Sequence, residues 1–260
     1  ALALGDATVG DMSPQANRHK AIRLVARLPM AVTAFQRLRQ GQQPILPRPE
    51  LDTAANILYT MNGTMPTPTF VAAMDEALVV YADHELNAST FTARVVASTI
   101  SDMYGAITAA MAALKGPLHG GANQAVWEML QEIGDVKNVQ RYIEAKLAGH
   151  QRIMGFGHRV YRHGDPRAKH LRQLAKELSE RSGETKWYEI ATRIEEVVTK
   201  KKGLQPNVDF YSAIVFHLLG FPSDLFPALF ACGRVAGWTA HVMEQYADNR
   251  LIRPRAEYIG

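Results

Sequence analysis

The apolar residues of this chain recur at the three- and four-residue spacing of an α-helix, and this periodicity most limits the folds open to it. Leu24, Leu28 and Val32 show the spacing, after a typical helix start at Ser13-Pro14. No stretch alternates apolar and polar residues as a half-buried strand does, and no segment is repeated. We therefore predict an all-α, multi-helical fold in which any β structure is limited to short hairpins.

Caps and helix breakers divide the rest of the chain into further predicted helices. They cover residues 52–61, 67–81, 89–114, 122–133, 139–148, 166–181, 187–199, 207–219 and 225–250. The segment 89–114 is interpreted as one long helix, in which many alanines permit close helix–helix approach. Pro29 is expected to kink or divide the first helix.

Composition limits the class of protein. A chain of 260 residues can bury a sizeable core in one or two domains. Its net charge of +4 and its pI near 9.2 suit acidic small molecules, but they predict no nucleic-acid partner. The single cysteine, Cys232, excludes an internal disulfide and indicates a reducing, cytoplasmic location. No apolar run reaches membrane-spanning length, and the first residues lack the basic start and long apolar core expected of a signal peptide.

The stretch MGFGHRVYRHGDPR, residues 154–167, carries the densest functional pattern. Gly155 and Gly157 leave the backbone accessible to a ligand just before His158. The stretch also contains three arginines, whose planar guanidinium groups suit carboxylate or phosphate: Arg159, Arg162 and Arg167. A surface loop with basic residues is the alternative explanation.

Four other stretches place polar residues at helix ends, beside glycines or inside an apolar helix. They contain His84 in DHELN, His119 in GPLHGGAN, Asp209 in PNVD and Arg234 in GRVAG. Each also has a purely structural explanation, such as a helix cap, a hydrogen-bonded loop histidine or an arginine paired with a buried carboxylate. Taken together, these histidines, arginines and one aspartate favour an acid–base site for a polycarboxylate.

Several familiar motifs are excluded by single residues. A dinucleotide fingerprint would need a glycine where Val160 stands, and a P-loop would need a lysine at Ala122. A zinc-protease motif would need its second histidine at Ala88. Cys232 lies inside a predicted helix with no neighbouring base, which argues against a thiol nucleophile.

The combination of motifs resembles the citrate synthase family. The segments DHELNAST, GPLHGGAN, GFGHRVYRHGDPRA, PNVDFYSA, GRVAGW and RPRAEYIG stand in the order found in that family. The resemblance extends from about Ser13 to the last residue, and the motif variants are more similar to the bacterial or archaeal dimeric enzymes than to the animal mitochondrial one.

The resemblance implies a role for each motif residue. His119 would stabilise the enol of acetyl-CoA, Asp209 would remove its methyl proton, and His158 would polarise the keto oxygen of oxaloacetate. The residues implied to bind oxaloacetate are His84, Arg167, Arg234 and, from the neighbouring subunit of a homodimer, Arg253. The residues implied to contact coenzyme A are Arg162, Gly155, Gly157, Lys200 and Lys202.

The family also implies a large domain formed by residues 1–120 and 223–260 and a smaller mobile domain formed by residues 121–222. The coenzyme A thioester is a substrate, so neither a metal nor a permanently bound cofactor is expected. The N-terminal segment of family members is expected to have no counterpart in this chain.

Three functions remain open on the sequence. The first is citrate synthase, which condenses acetyl-CoA with oxaloacetate and water. The second is 2-methylcitrate synthase, which uses propionyl-CoA, because one methylene changes binding in a pocket by only about 1–3 kcal/mol. The third is an inactive helical module for coenzyme A binding or dimerisation, against which the presence of Asp209 argues.

Overall fold

The computed structural model describes residues 3–116, 119–158, 160–161 and 164–259. In these ranges the chain forms α-helices, two short 3-10 turns and one isolated backbone bridge, so the all-α prediction is confirmed. The helices are α1 (Pro14–Arg39), α2 (Thr53–Asn62), α3 (Pro68–Tyr81), α4 (Ala88–Ser98), α5 (Met103–Leu114), α6 (Ala122–Ile133), α7 (Val139–Ala148), α8 (Pro166–Ser182), α9 (Lys186–Lys202), α10 (Val208–Leu218) and α11 (Phe226–Ala247).

Local capping explains most of the helix boundaries. Side-chain oxygens accept backbone N–H groups at the first turns of helices α1 to α5, α8 and α10, from Ser13, Asp52, Thr67, Asn87, Asp102, Asp165 and Asn207. Glycines in the left-handed conformation end α2, α6, α8 and α9, and these are Gly63, Gly134, Gly183 and Gly203. Short polar sequences thus determine where each apolar segment starts and stops.

The prediction of one helix over residues 89–114 was wrong. Helix α4 ends at Ser98, and Ile100 adopts a positive φ of 63°, which an α-helix does not allow. Asp102 then accepts the Gly105 N–H at 3.0 Å and caps α5. The chain therefore turns between two helices that pack against each other.

Pro29 lies inside α1 and does not divide it, although a proline cannot donate the usual helix hydrogen bond. The residue is buried, and α1 packs against α2 and α11. Tertiary packing on these neighbours outweighs the lost hydrogen bond.

The helices pack in two groups. Helix α11 contacts α1, α3, α4 and α5, whereas α10 contacts α6 and α8, and α9 contacts α7. The buried apolar residues of both groups form one continuous cluster, and α3 also touches α8. In the part of the chain that the structure describes, no helix combines the length and apolar character needed to cross a membrane.

Candidate active site

A cavity of about 490 Å³ lies where the two groups of helices meet. Six of the residues singled out in the sequence line it: His84, His119, His158, Arg167, Asp209 and Arg234. Its other lining residues are Glu85, Leu86, Asn87, Ala88, Val160, Asn207, Val208 and Phe230. The structure thus brings together imidazole, guanidinium and carboxyl groups that are up to 150 positions apart in the sequence.

Helix α11 holds the loop that carries His84. The Arg234 Nε donates to the Tyr81 carbonyl oxygen at 2.7 Å, and the Gly237 N–H donates to the Ala82 carbonyl oxygen at 2.9 Å. One turn later, the His241 Nε2 lies 3.2 Å from the Asp83 Oδ1. Successive turns of one helix therefore bind successive residues of the loop.

A close approach of backbones makes Gly237 necessary for this arrangement. A Cβ atom at this position would lie 2.3 Å from the Ala82 carbonyl oxygen and 2.9 Å from the Asp83 Oδ1. Replacing Gly237 with alanine is expected to push the loop away and to lower the free energy of unfolding by about 1–3 kcal/mol. Urea denaturation measures the change.

A glycine-to-alanine change at Gly149 provides the control, because its Cβ would approach no atom closer than 3.5 Å. Equal stability losses at Gly149 and Gly237 would show that loss of glycine flexibility, rather than contact with the loop, causes the effect.

Asp165 positions Arg167 and joins two helices. The Arg167 Nε and Nη2 lie 3.0 and 2.8 Å from the two carboxylate oxygens of Asp165. Asp165 Oδ2 also accepts the Val208 N–H at 3.2 Å, at the start of α10. Burial raises the pKa of the Asp165 carboxyl, but the hydrogen bonds and charge of Arg167 outweigh it and hold this pKa below its usual value.

Arg234 is buried, and among the described residues no carboxylate forms an ion pair with it. Its guanidinium lies 4.9 Å from the centre of the Phe230 ring, and only 1% of the residue is exposed. Burial, followed by repulsion from Arg167, lowers its pKa to about 10, so it stays charged at neutral pH. Two cations that face one cavity suit a ligand with two negative groups.

A short backbone pairing connects His158 with Asp209. Phe156 and Pro206 form an antiparallel bridge. The Gly157 N–H donates to the Gln205 carbonyl oxygen at 3.0 Å, and the Asn207 N–H donates to the Gly155 carbonyl oxygen at 2.9 Å. The loop before α8 and the start of α10 are therefore held side by side.

Backbone contacts determine the tautomer of His158. Its Nδ1 accepts the N–H groups of Val160 and Tyr161 at 3.0 and 3.1 Å. Burial lowers the pKa of this imidazole, so the neutral ring is favoured. The ring hydrogen must then lie on Nε2, which makes that nitrogen a donor available to a ligand carbonyl.

His119 is held in the opposite tautomer. Its Nε2 lies 3.3 Å from the Ser89 backbone nitrogen, which can only donate, and 2.8 Å from the Ser89 Oγ. Burial, followed by the charge of Arg234, lowers the pKa of the imidazole to about 4. Neutral His119 therefore carries its hydrogen on Nδ1 and can donate it without being a cation.

His84 completes a cluster of aromatic and imidazole rings. Its ring centre lies 5.0 Å from that of His158 and 5.5 Å from that of Tyr161. Burial and the charge of Arg167 lower its pKa to about 4, and its buried Nε2 has no hydrogen-bond partner among the residues that the structure describes. A ligand that accepts or donates at this nitrogen would relieve its cost of burial.

Asp209 has the properties of a base. Asn207 caps α10 by accepting the Asp209 N–H at 3.0 Å, which places the carboxyl in the first turn. Burial raises its pKa to about 7, although Arg167 and Arg234 oppose this, and in the described part of the chain its buried Oδ1 has no hydrogen-bond partner. A carboxylate with a pKa near neutrality can accept a proton from a weak carbon acid.

The raised pKa of Asp209 predicts how an Asp209→Asn variant differs in stability from the native chain. Because this pKa is about 7 in the folded protein against 3.8 for a free aspartate, the native chain loses stability as the pH rises from about 4 to 7. The asparagine variant lacks this loss. Its advantage in unfolding free energy should grow across that interval, towards an upper limit of about 4 kcal/mol, and stay constant outside it.

Urea denaturation of both proteins at several pH values measures this difference. An advantage that does not change between pH 4 and pH 7 would show that Asp209 has an ordinary pKa in the folded state.

The residues expected to contact coenzyme A do not lie together in one cavity. Gly157 lines a smaller cavity of about 200 Å³ next to the main one, together with Gly203 and Leu204. Gly155 is buried, and a Cβ there would meet Phe210 and Val126 at 2.7–2.8 Å. The other candidates line neither cavity or cannot be placed: Lys200 and Lys202 are exposed in the last turn of α9, Arg253 is exposed in the C-terminal tail, and Arg162 lies outside the described residues.

Sequence reasoning missed Asp165, Ser89 and Trp238 as site residues. None of the three was predicted to take part in the site. The only signal in the sequence was their position beside the motif residues His84, Arg167 and Arg234. Among the residues that the structure describes, no group of histidine, cysteine, aspartate or glutamate side chains could hold a metal ion.

Comparison with known proteins finds similar citrate synthases. The family model described as citrate synthase, C-terminal domain, matches residues 1–255. Citrate synthase 2 of Bacillus subtilis is 58% identical over 259 residues, covering 100% of this chain and 70% of that protein. A second Bacillus subtilis protein, citrate/2-methylcitrate synthase, is 43% identical over 261 residues, again covering 100% and 70%. The curated relatives are covered over 63–70% of their length.

A solved structure is also similar. Citrate synthase from Thermoplasma acidophilum, solved as a ternary complex with carboxymethyl coenzyme A and oxaloacetate, is 40% identical and superimposes with a TM-score of 0.92. The match covers 100% of this chain and 70% of that one.

Proposed function

Since the chain belongs to the citrate synthase family, we propose that it condenses acetyl-CoA with oxaloacetate and water to give citrate and coenzyme A. The observation that carries this proposal is that one cavity brings together three histidines with lowered pKa values, two arginines and a carboxyl group with a pKa near 7. The coenzyme A thioester acts as a substrate, so the chemistry needs no permanently bound cofactor.

Oxaloacetate fits the charge of this cavity. Arg167 and Arg234 can each bind one of its carboxylates, and His84 can provide a further hydrogen bond. The Nε2–H of His158 then faces the keto oxygen and polarises the carbonyl. Asp165 keeps the Arg167 guanidinium oriented before the substrate arrives.

Enol formation requires a base at the methyl group and a hydrogen-bond donor at the thioester oxygen. Asp209 accepts a methyl proton of acetyl-CoA, while the Nδ1–H of His119 hydrogen-bonds to the thioester oxygen as negative charge develops there. The enol carbon attacks the keto carbon of oxaloacetate and converts the keto oxygen to an alkoxide. This oxygen takes up one proton, which balances the methyl proton that Asp209 removed. Water then cleaves the citryl thioester, which releases citrate and coenzyme A.

We propose that residues 121–222 form a smaller mobile domain and that residues 1–120 and 223–260 form the larger one. Helices α6–α10 pack mainly against one another, as do α1–α5 with α11, which supports this division. His158, Arg167 and Asp209 then belong to one domain, and His84, His119 and Arg234 to the other. Closing the domains would assemble the site and exclude water before condensation.

We further propose a cytoplasmic homodimer in which Arg253 reaches the site of the neighbouring subunit. Arg253 is exposed in the tail that follows α11 and does not line the cavity of its own chain. The residues that we propose to contact coenzyme A are Gly157 and the cations Arg162, Lys200 and Lys202. Gly155 shapes the loop that carries Gly157. Sedimentation analysis tests the dimer.

Release of free thiol from acetyl-CoA and from propionyl-CoA, each with and without oxaloacetate, tests the proposed activity. Release that depends on oxaloacetate and favours acetyl-CoA is expected. A preference for propionyl-CoA would instead indicate 2-methylcitrate synthase, an alternative that the similarity to a citrate/2-methylcitrate synthase keeps open. Folded protein that releases no thiol with either substrate would contradict both proposals and favour a binding module.

A further inference from the structure

A chain of hydrogen bonds runs from the buried helix α11 to His119. The Trp238 side chain is fully buried, and its Nε1–H donates to the Ser89 Oγ at 3.1 Å. The same oxygen lies 2.8 Å from the His119 Nε2. Three residues from α11, α4 and the loop before α6 are therefore linked in series.

The donors and acceptors in this chain can be assigned from their chemistry. An indole nitrogen can only donate, so Trp238 occupies a lone pair of the Ser89 oxygen. The Ser89 backbone N–H points at His119 Nε2 at 3.3 Å, so this nitrogen is an acceptor. Because this nitrogen carries no hydrogen, the Ser89 hydroxyl can donate its one hydrogen to His119 Nε2 at 2.8 Å. The ring hydrogen of neutral His119 then lies on Nδ1.

A competing acceptor makes the indole important. The Ser89 Oγ is also 2.8 Å from the Asn87 Oδ1, which already accepts the Thr90 N–H at 3.1 Å. Without the indole, the hydroxyl could turn its hydrogen towards Asn87 and leave His119. Donation from Trp238 fixes the oxygen and makes its O–H a stronger donor to the imidazole.

We propose that Trp238 is a positioning residue that acts through Ser89 to hold His119 in its Nδ1–H tautomer. The proposal rests on the proposed function, in which this Nδ1–H stabilises the enol of the acyl thioester. Arg234 lies one helical turn before Trp238 on α11. One face of α11 then serves both substrates, through Arg234 for the dicarboxylate and through Trp238 for the thioester.

A double-mutant cycle tests the coupling. Trp238→Phe keeps an aromatic ring and removes the N–H, and Ser89→Ala removes the intermediate hydroxyl. Because one buried hydrogen bond is lost, we expect Trp238→Phe to lower kcat for oxaloacetate-dependent thiol release about tenfold. The KM for oxaloacetate should stay unchanged. In the Ser89→Ala background, Trp238→Phe should cause no further loss.

Equal effects of Trp238→Phe with and without Ser89 would overturn the proposal, because they would show that the tryptophan acts by packing alone. Trp187→Phe is the matched control, since the Trp187 indole donates to Glu184 at 2.6 Å, outside the cavity lining. This control should leave kcat unchanged. Circular dichroism establishes that each variant is folded, and the isosteric benzothienylalanine replaces Trp238 if phenylalanine prevents folding.

Nitrogen-15 NMR of the His119 ring gives a readout that needs no turnover. In the native chain we expect a non-protonated Nε2 and a protonated Nδ1, and a mixture of tautomers once the Trp238 N–H is removed. A protonated Nε2 in the native chain would refute the assignment. Absence of thiol release together with the expected ring signals would contradict the proposed function and leave the positioning role of Trp238 supported.

Discussion

Replacing Asp209 with asparagine is expected to lower oxaloacetate-dependent thiol release by about 10²–10⁴-fold, since the variant retains the shape of the side chain and loses the base. Binding of oxaloacetate should persist, because the groups proposed to hold its carboxylates, Arg167 and Arg234, are unchanged. Steady-state kinetics gives the first quantity, and calorimetric titration with oxaloacetate gives the second.

Asp224→Asn is the control for this substitution, because Asp224 pairs with Arg39 on the surface. It should retain full activity. Turnover in Asp209→Asn that remains within a few-fold of the native rate would show that another group removes the methyl proton.

Replacing Arg234 with methionine is expected to separate binding from stability. Affinity for oxaloacetate should fall about 100-fold or more, because a hydrogen bond to a charged group contributes about 1.5–3 kcal/mol and a guanidinium can form two. The free energy of unfolding should stay the same or rise by up to about 2 kcal/mol, because the substitution replaces a buried cation, for which the described residues provide no carboxylate, with an apolar side chain.

Calorimetry and urea denaturation of the same preparation measure both effects. Arg39→Met provides the control, since Arg39 lies at the surface beside Asp224 and outside the cavity. A large loss of stability without loss of oxaloacetate affinity would mean that Arg234 has a structural role, in which its hydrogen bond to the Tyr81 carbonyl oxygen is decisive.

Helix boundaries with a strong local signal could be predicted from the sequence. Ser13-Pro14, Asn62-Gly63 and the residues that start α8 supply their own caps, so they act whatever the tertiary structure. Helices α6 and α7 match the predicted residues 122–133 and 139–148. Local chemistry was sufficient at these positions.

At two places in the helices, local sequence signals compete with other effects, and the sequence alone did not predict the outcome. The break between α4 and α5 has a local signal in the cluster Ser-Asp before Met103, but the surrounding alanines favoured a continuous helix. Conversely, Pro29 carries a strong signal for a break, yet α1 continues through it. Packing of α1 on two neighbouring helices could not be known from this segment alone.

The residue types predicted the chemical character of the site, but they did not predict the hydrogen bonds between its residues. Histidines and arginines beside glycines and helix ends pointed to an acid–base site for an anion. The hydrogen bond between Ser89 and Trp238 joins residues 149 positions apart, and no local sequence pattern predicts it. The tautomers of His119 and His158 likewise depend on backbone N–H groups that only the folded chain brings into place.

The pairing of Phe156 with Pro206 makes the length of the chain critical at this point. Its hydrogen bonds involve backbone atoms, so many side-chain substitutions in these two segments should preserve it. An insertion or deletion of a single residue is different, because it would shift one segment by about 3.3 Å and turn its paired side chains to the other side. His158 and Asp209 would then be displaced relative to each other, although neither residue had been altered.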